Sequence, residues 1–299
     1  MGVYSMLNKV LVVATSASGK ELVNEANAIA AQSVLVTNVA GLTGADVVYN
    51  FSAEETVVTK LKAIADLAAE LKPDMVLCEA NRSGRLVAGY VAAVLKTCVL
   101  PEVMTMAVGE TGVETTRMVH GGSAIKTESV SYPVVAACGA GTFDAADNDR
   151  AGEVKELAGA VEGIDYVGVK VADVVAKNIP GAKKVIGVGR GLGSADNLPM
   201  VNELAGLMGA EVGCTRPAAE EEGWFPRADY IGVSGLMIKP QVYFAMGISG
   251  AVQHTVGVDA SGLIFSLDKN ENAPIFDSSD YCLVGNINTA VPKIIEALK

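Results

Sequence analysis

The sequence predicts an α/β protein of two domains, each with a mostly parallel sheet flanked by helices. Three observations carry this expectation. Short unbroken apolar runs at 10–14, 75–78 and 185–188 fit strands buried on both faces, whereas a half-exposed strand would alternate. Between such runs lie segments with apolar residues at helical spacing, the alternation that builds parallel sheets. Finally, 299 residues are long for one core and suit two domains of about 100 to 200 residues each.

In the first domain a strand is expected at 9–15, then a helix at 21–31 with Leu22, Ala26, Ile29 and Ala30 on one side. Strands follow at 33–39 and 47–51. Ser52, with Glu55 three residues on, has the pattern of a capping box and opens a helix expected at 53–71, which Pro73 stops. Its apolar stripe is Val57, Leu61, Ile64, Leu67, Ala68 and Leu71. A core strand at 75–78 leads through Arg82-Ser83-Gly84-Arg85 into a helix at 86–95. Short runs at 103–108, 112–119, 123–130 and 133–138, separated by turn residues, read as hairpins added to the sheet. A modest strand at 164–171 precedes a domain break between 177 and 181, giving domains 1–177 and 178–299.

The second domain opens with a strand at 185–188. A helix through Leu207 follows, capped by Ser194, Asp196 or Asn197, with Pro199 in its first turn. The strand at 211–214 delivers Thr215 and Arg216 at its C-terminal end, where open α/β sheets bind ligands, and Pro217 stiffens the exit. The apolar run at 242–246 then enters Gly247-Ile248-Ser249-Gly250-Ala251-Val252-Gln253-His254. A strand running into Gly-x-Ser-Gly and a helix start exposes backbone N–H groups that suit a phosphate. On its own the octet fits equally a ligand-free turn with Ser249 as N-cap. Gly189-Arg190-Gly191-Leu192-Gly193 departs from the strict dinucleotide fingerprint, because Leu192 stands where the third glycine belongs.

Composition narrows the function. The formal charge of −11 comes without clustered Lys or Arg, which argues against nucleic acid or an anionic membrane as partner. No run approaches the roughly 20 apolar residues of a membrane span, so no membrane insertion is expected. Residues 1–8 have no secretory pattern, and the scattered Cys78, Cys98, Cys138, Cys214 and Cys282 suit a reducing compartment, so the expected location is cytoplasmic. With only His120 and His254 and no ligand cluster, no metal site is expected. No nucleophile–base pair or carboxylate dyad is evident, so no catalytic residue is assigned.

Five motifs occur in register through the second domain: Gly189-Arg190-Gly191-Leu192-Gly193-Ser194, Gly213-Cys214-Thr215-Arg216-Pro217, Ser234-Gly235-Leu236-Met237-Ile238-Lys239-Pro240, the octet from Gly247 to His254, and Asn272-Ala273-Pro274-Ile275-Phe276 with Ser279-Asp280-Tyr281. In that order they resemble the FAD-binding domain of the electron-transfer flavoprotein alpha subunit. Asn81-Arg82-Ser83-Gly84-Arg85 and His120-Gly121-Gly122-Ser123-Ala124 resemble paired signatures of that family's N-terminal domain. Read plainly, those two are a capped helix and a Gly-Gly turn; the family reading adds packing toward the partner subunit or the second domain.

The resemblance implies FAD as cofactor, a heterodimer with a beta subunit, and a carrier passing electrons between a dehydrogenase or reductase and a quinone-linked or ferredoxin-type acceptor. It implies cofactor contacts by Arg190, Thr215, Arg216, Val233, Ser234, Gly247, Ile248, Ser249, Gly250, Ala251, Val252, Gln253, His254, Asp268, Asn286 and Ile287. The family sets the arginine matching Arg216 against the flavin ring, where a fixed positive charge favours the anionic reduced forms. His254 matches a residue bonding the pyrimidine carbonyl region. Ser234 keeps the hydroxyl that many members carry on threonine. Val233 replaces the usual glutamine, Asp268 a usual asparagine, and Asn286 a frequent aspartate. Two functions remain beside this one: a subunit of an electron-bifurcating complex, and an NAD-dependent α/β enzyme using His254. A non-redox adenine-nucleotide sensor on the first domain is a third.

Overall fold

The computed structural model describes residues 7–53, 55–144, 146, 148, 150–161, 163, 164, 166–168 and 177–299. The chain divides into two compact units, Met1–Val119 with Ile125–Val171, and His120–Ala124 with Ala172–Lys299. Each is an α/β unit around a parallel sheet.

The first unit runs β1 (Leu7–Ala14), α1 (Gly19–Ile29), β2 (Ala30–Thr37), β3 (Val47–Asn50), α2 (Val57–Leu71), β4 (Met75–Glu79), α3 (Arg82–Leu95), β5 (Val99–Val103), β6 (Thr105–Val108), β7 (Gly112–Val119), β8 (Ala124–Ser131), β9 (Val134–Cys138) and β10 (Glu153–Glu156). Seven strands form one sheet in the order β10-β3-β2-β1-β4-β9-β5, and every neighbouring pair is parallel. Continuous apolar strands follow from burial on both faces: Leu11 and Val13 pack with α2 and α3, while Val10, Val12 and Ala14 pack on the opposite side with α1.

Several expectations change here. The runs expected as hairpins divide between two sheets: β5 and β9 join the parallel sheet, and β6, β7 and β8 form a separate three-stranded one in which β6 and β7 are antiparallel. The apolar run at 103–108 hides this break, because Val103 pairs with Cys138 whereas the next N–H, of Met104, already donates to Thr116. The helix expected from 53 starts at Val57. The Glu55 carboxylate does accept the Ser52 N–H at 3.2 Å, but this closes a turn, and the helix begins behind an extended Thr56. Asn81 caps α3, accepting the Gly84 N–H at 2.8 Å. β10 was not expected, since an exposed edge strand reading Glu-Val-Lys-Glu has no apolar pattern to announce it. Of the strand expected at 164–171, residues 165 and 169–171 lie outside the described residues, and the others are not in a strand.

The second unit runs β11 (Lys184–Val188), α4 (Leu198–Met208), β12 (Glu211–Cys214), α5 (Arg216–Glu220), β13 (Val242–Met246), α6 (Val252–Thr255), β14 (Ile264–Asp268), β15 (Tyr281–Val284) and α7 (Ile287–Leu298). Its five strands, in the order β12-β11-β13-β14-β15, are all parallel. α4 and α7 cover one face around Val188, Leu204, Phe244 and Val291. Tyr243, Ala245, Ile248 and Ile275 fill the other. Ser194 caps a short 3-10 turn, accepting the Asp196 N–H, and Pro199 sits in the first turn of α4. The segment His120–Ala124 clusters with this unit. A Cβ on Gly122 would lie 2.2 Å from Val256 Cγ2, so the Gly-Gly turn serves close packing.

Candidate functional site

Because all five strands of the second unit are parallel, their C-terminal ends share one edge. β11 ends beside Arg190, β12 beside Thr215 and Arg216, β13 enters the octet from Gly247 to His254, β14 ends at Asp268, and Asn286 and Ile287 follow β15. β12 lies on one side of β11 and β13 on the other, so the chain reverses direction across the sheet between β11 and β13. Ligands of open α/β sheets bind at such a switch point. The residues singled out in the sequence thus converge on one edge, most of them through strand order alone.

The turns after β11 and β13 touch through backbone. Gly189 N–H donates to Met246 C=O and Gly191 N–H to Gly247 C=O, both at 2.9 Å, and a Cβ on Gly191 would come within 2.5 Å of Gly247 Cα. Past this contact the octet bends sharply. Gly250 has φ +88° and lies so close to the next turn that a Cβ would meet Ile275 N at 2.0 Å. Only glycine accepts that conformation and that approach. Among the described residues, the backbone N–H groups of Ser249, Gly250, Ala251, Val252 and Gln253 have no acceptor. Five successive donors without partners form a ready anion site, since a backbone N–H seldom goes without an acceptor. Ser249 is not the cap of the short α6; that position is Ala251, without a side-chain bond, while Ser249 is exposed and its carbonyl accepts from Ile275.

Charge near this edge is supplied in pairs. Arg190 bonds Glu221 at 2.8 Å, and Arg216 Nε bonds Glu220 at 2.6 Å one helical turn on. Arg227 takes the other Glu220 oxygen at 2.6 Å. These bonds raise the pKa of Arg216 and lower that of Glu220. The fixed positive charge of Arg216 is therefore a paired one.

His254 lies inside the unit with both ring nitrogens engaged. It is buried, with Nδ1 3.0 Å from the Ile231 carbonyl and Nε2 2.8 Å from the Tyr243 hydroxyl. The carbonyl can only accept, so Nδ1 carries the proton and Tyr243 donates to Nε2. Both ring nitrogens are thus bonded within the chain. Burial lowers its pKa to about 4. His254 ties β13 and α6 to the loop carrying Val233 and Ser234, and in that loop Val233 N–H donates to Gln253 C=O at 2.8 Å. Room for Tyr243 comes from Gly187, where a Cβ would lie 1.8 Å from the hydroxyl oxygen.

The remaining positions vary in what they offer. Val233, Ser234, Ala251, Val252 and Gln253 are exposed, and Ser234 C=O accepts from the Tyr230 hydroxyl. Thr215 is buried, its N–H bonded to Val188 C=O. Gly247 and Ile248, the first two residues of the octet, are buried, as is Ile287, and together they give the turn its shape. Asp268 is nearly buried and its Oδ1 accepts the Asn270 N–H at 2.8 Å. Asn286 caps α7, accepting the Asn288 N–H at 2.8 Å.

Sequence reasoning missed Glu220, Glu221, Arg227 and Tyr243. The Arg216–Glu220 spacing of four residues was a usable signal. Nothing in the apolar run of β13 marked Tyr243 as the partner of His254. Free N–H groups, arginines at the edge and exposed valines beside them suit a dinucleotide with a flat ring system. Among the described residues no group of three or more His, Cys, Asp or Glu is placed to hold a metal, and no helix is long and apolar enough to cross a membrane.

The chain is similar to known proteins over most of its length. A family described as the electron transfer flavoprotein FAD-binding domain matches residues 178–259, and one described as the electron transfer flavoprotein domain matches 10–162. Protein FixB of Escherichia coli O139:H28 is 38% identical over 229 residues, covering 75% of this chain and 73% of that protein. Protein FixB of Escherichia coli O7:K1 is 39% identical over 230 residues with the same coverage. Among solved structures, a putative thiamin diphosphate-dependent enzyme from Mycobacterium smegmatis aligns with 98% of this chain and 60% of its own at 11% identity; a TM-score of 0.28 carries no argument about fold.

Proposed function

The chain belongs to the electron-transfer flavoprotein family as an alpha subunit, and we propose that it holds FAD at the C-terminal edge of its second sheet and carries electrons between a donor dehydrogenase or reductase and a quinone-linked or ferredoxin-type acceptor. The family pairs with a beta subunit, and we take the working form to be that heterodimer in the cytoplasm. The observation that carries the reading is the run of five unpartnered N–H groups from Ser249 to Gln253 at the switch point.

FAD, when bound, supplies the redox chemistry. The chain's own residues bind and orient it. The N–H groups of Ser249 to Gln253, with Arg190, hold the pyrophosphate, where donors already in place lose little entropy on binding. Arg216 places a permanent charge toward the flavin ring, and the Ser234 hydroxyl offers a bond at the ring edge. Val233 and Val252 give apolar contact. Asp268, one oxygen already held by Asn270, meets hydroxyl groups of the ribose with the other, and Asn286 offers its amide N–H without adding charge. Gly247 and Ile248, with Ile287, fix the start of the octet. His254 acts through the loop it braces.

Arg216→Ala tests this assignment. Losing the cation lowers the midpoint potential of the bound flavin, read by redox titration of the heterodimer. An unchanged potential would remove Arg216 from the flavin.

A further inference from the structure

We propose that Glu220 and Arg227 are positioning residues that together set the charge which Arg216 presents to the flavin. This rests on the placement of Arg216 given above. Glu220 lies one helical turn beyond Arg216 on α5 and takes two guanidinium groups at once: Oε2 accepts from Arg216 Nε and Oε1 meets Arg227 Nη2, both at 2.6 Å. The Glu220 side chain is 23% exposed, against 57% for Arg216 and 75% for Arg227, so the carboxylate is the more enclosed centre and the two cations lie at its rim.

Three consequences follow from that arrangement. A guanidinium bonded through Nε keeps its Nη groups available, so Glu220 orients Arg216 without consuming its outward donors. A carboxylate shared by two cations neutralises each only in part, and the cluster keeps a net positive charge of one. Arg227 reaches Glu220 from outside α5, on the segment that leads into Tyr230 and the Val233–Ser234 loop, so its contribution depends on where that segment lies.

The two supporting residues therefore act with opposite signs. Removing the Glu220 charge leaves Arg216 uncompensated; removing Arg227 gives the whole carboxylate to Arg216. A merely structural role would move both variants the same way, toward weaker binding and lower stability.

The experiment measures the flavin midpoint potential and the FAD affinity, by quenching of flavin fluorescence, in the heterodimer carrying Glu220→Gln, Glu220→Asp, Arg227→Gln or Arg216→Ala. Glu220→Gln raises the potential and tightens FAD binding; Arg227→Gln lowers the potential and weakens binding. Each affinity change is roughly two- to five-fold, the range for exposed ion pairs. Glu220→Asp keeps the charge and stays near the parent potential. Both shifts shrink at high salt, because rim charges are screened. Shifts of the same sign in Glu220→Gln and Arg227→Gln, or no shift in either while Arg216→Ala does shift, would overturn the proposal and leave the role of Arg216 standing. No shift in Arg216→Ala removes Arg216 from the flavin and this inference with it.

Discussion

His254 makes the stability of the second unit depend on pH in a window that follows from its burial. The ring is 6% exposed, and loss of water lowers its pKa from the ordinary 6.5 to about 4, more than the bond to Ile231 C=O can restore. A depressed folded pKa means that the unfolded chain takes up the proton first. The neutral form thus contributes its full stability above the unfolded pKa of about 6.5 and loses it as pH falls toward 4. With about 1.4 kcal/mol per unit, the total is about 3 kcal/mol, and about 2 kcal/mol is gone by pH 5. Urea denaturation followed by circular dichroism, with FAD removed, measures it in the parent and in His254→Gln. Carboxylates titrate equally in both proteins, so the difference between the two curves isolates the histidine. That difference narrows by about 2 kcal/mol between neutral pH and pH 5. Parallel curves would show that His254 charges as easily folded as unfolded, and would refute the buried Tyr243–His254–Ile231 chain.

Other perturbations act on the same edge. Gly187→Ala puts a Cβ 1.8 Å from the Tyr243 hydroxyl, and overpacking with loss of the bond to His254 costs about 2 to 4 kcal/mol, read as a lower Tm; an unchanged Tm would mean the ring has room to move. Gly250→Ala combines positive φ with a clash against Ile275 N, so FAD affinity falls at least about tenfold, a loss of about 1.4 kcal/mol or more. Unchanged FAD affinity in that variant would show that the bend does not shape the site. Asp268→Asn removes a charged acceptor and weakens FAD binding by roughly 1.5 to 3 kcal/mol. Tighter binding would show instead that the carboxylate repels the cofactor.

The parallel cores were legible because a strand buried on both faces leaves an unbroken apolar run: β13 matches its expected bounds, and β11 and β4 fall within a residue. Where the chain changes sheets the sequence has no such sign, and the expected 103–108 run became β5 and β6 across Met104. Edge strand β10 was invisible for the opposite reason, having polar residues where a core strand would have none. The site was legible as glycines and arginines at strand ends, because parallel order alone brings strand ends together. Its inner contacts were not. Nothing local to His254 tells that Tyr243, eleven residues earlier on β13, occupies one ring nitrogen and Ile231 the other. Glu221, thirty-one residues from the Arg190 it bonds, belongs to the same class, whereas Glu220 could be read from its spacing of four from Arg216.

The flavin content of the protein purified as its heterodimer tests the central claim most directly. A yellow preparation with flavin absorbance bands and one FAD per chain, lost in Gly250→Ala, is the result expected from the unpartnered N–H groups at Ser249 to Gln253. A colourless protein that takes up no added FAD would contradict the account.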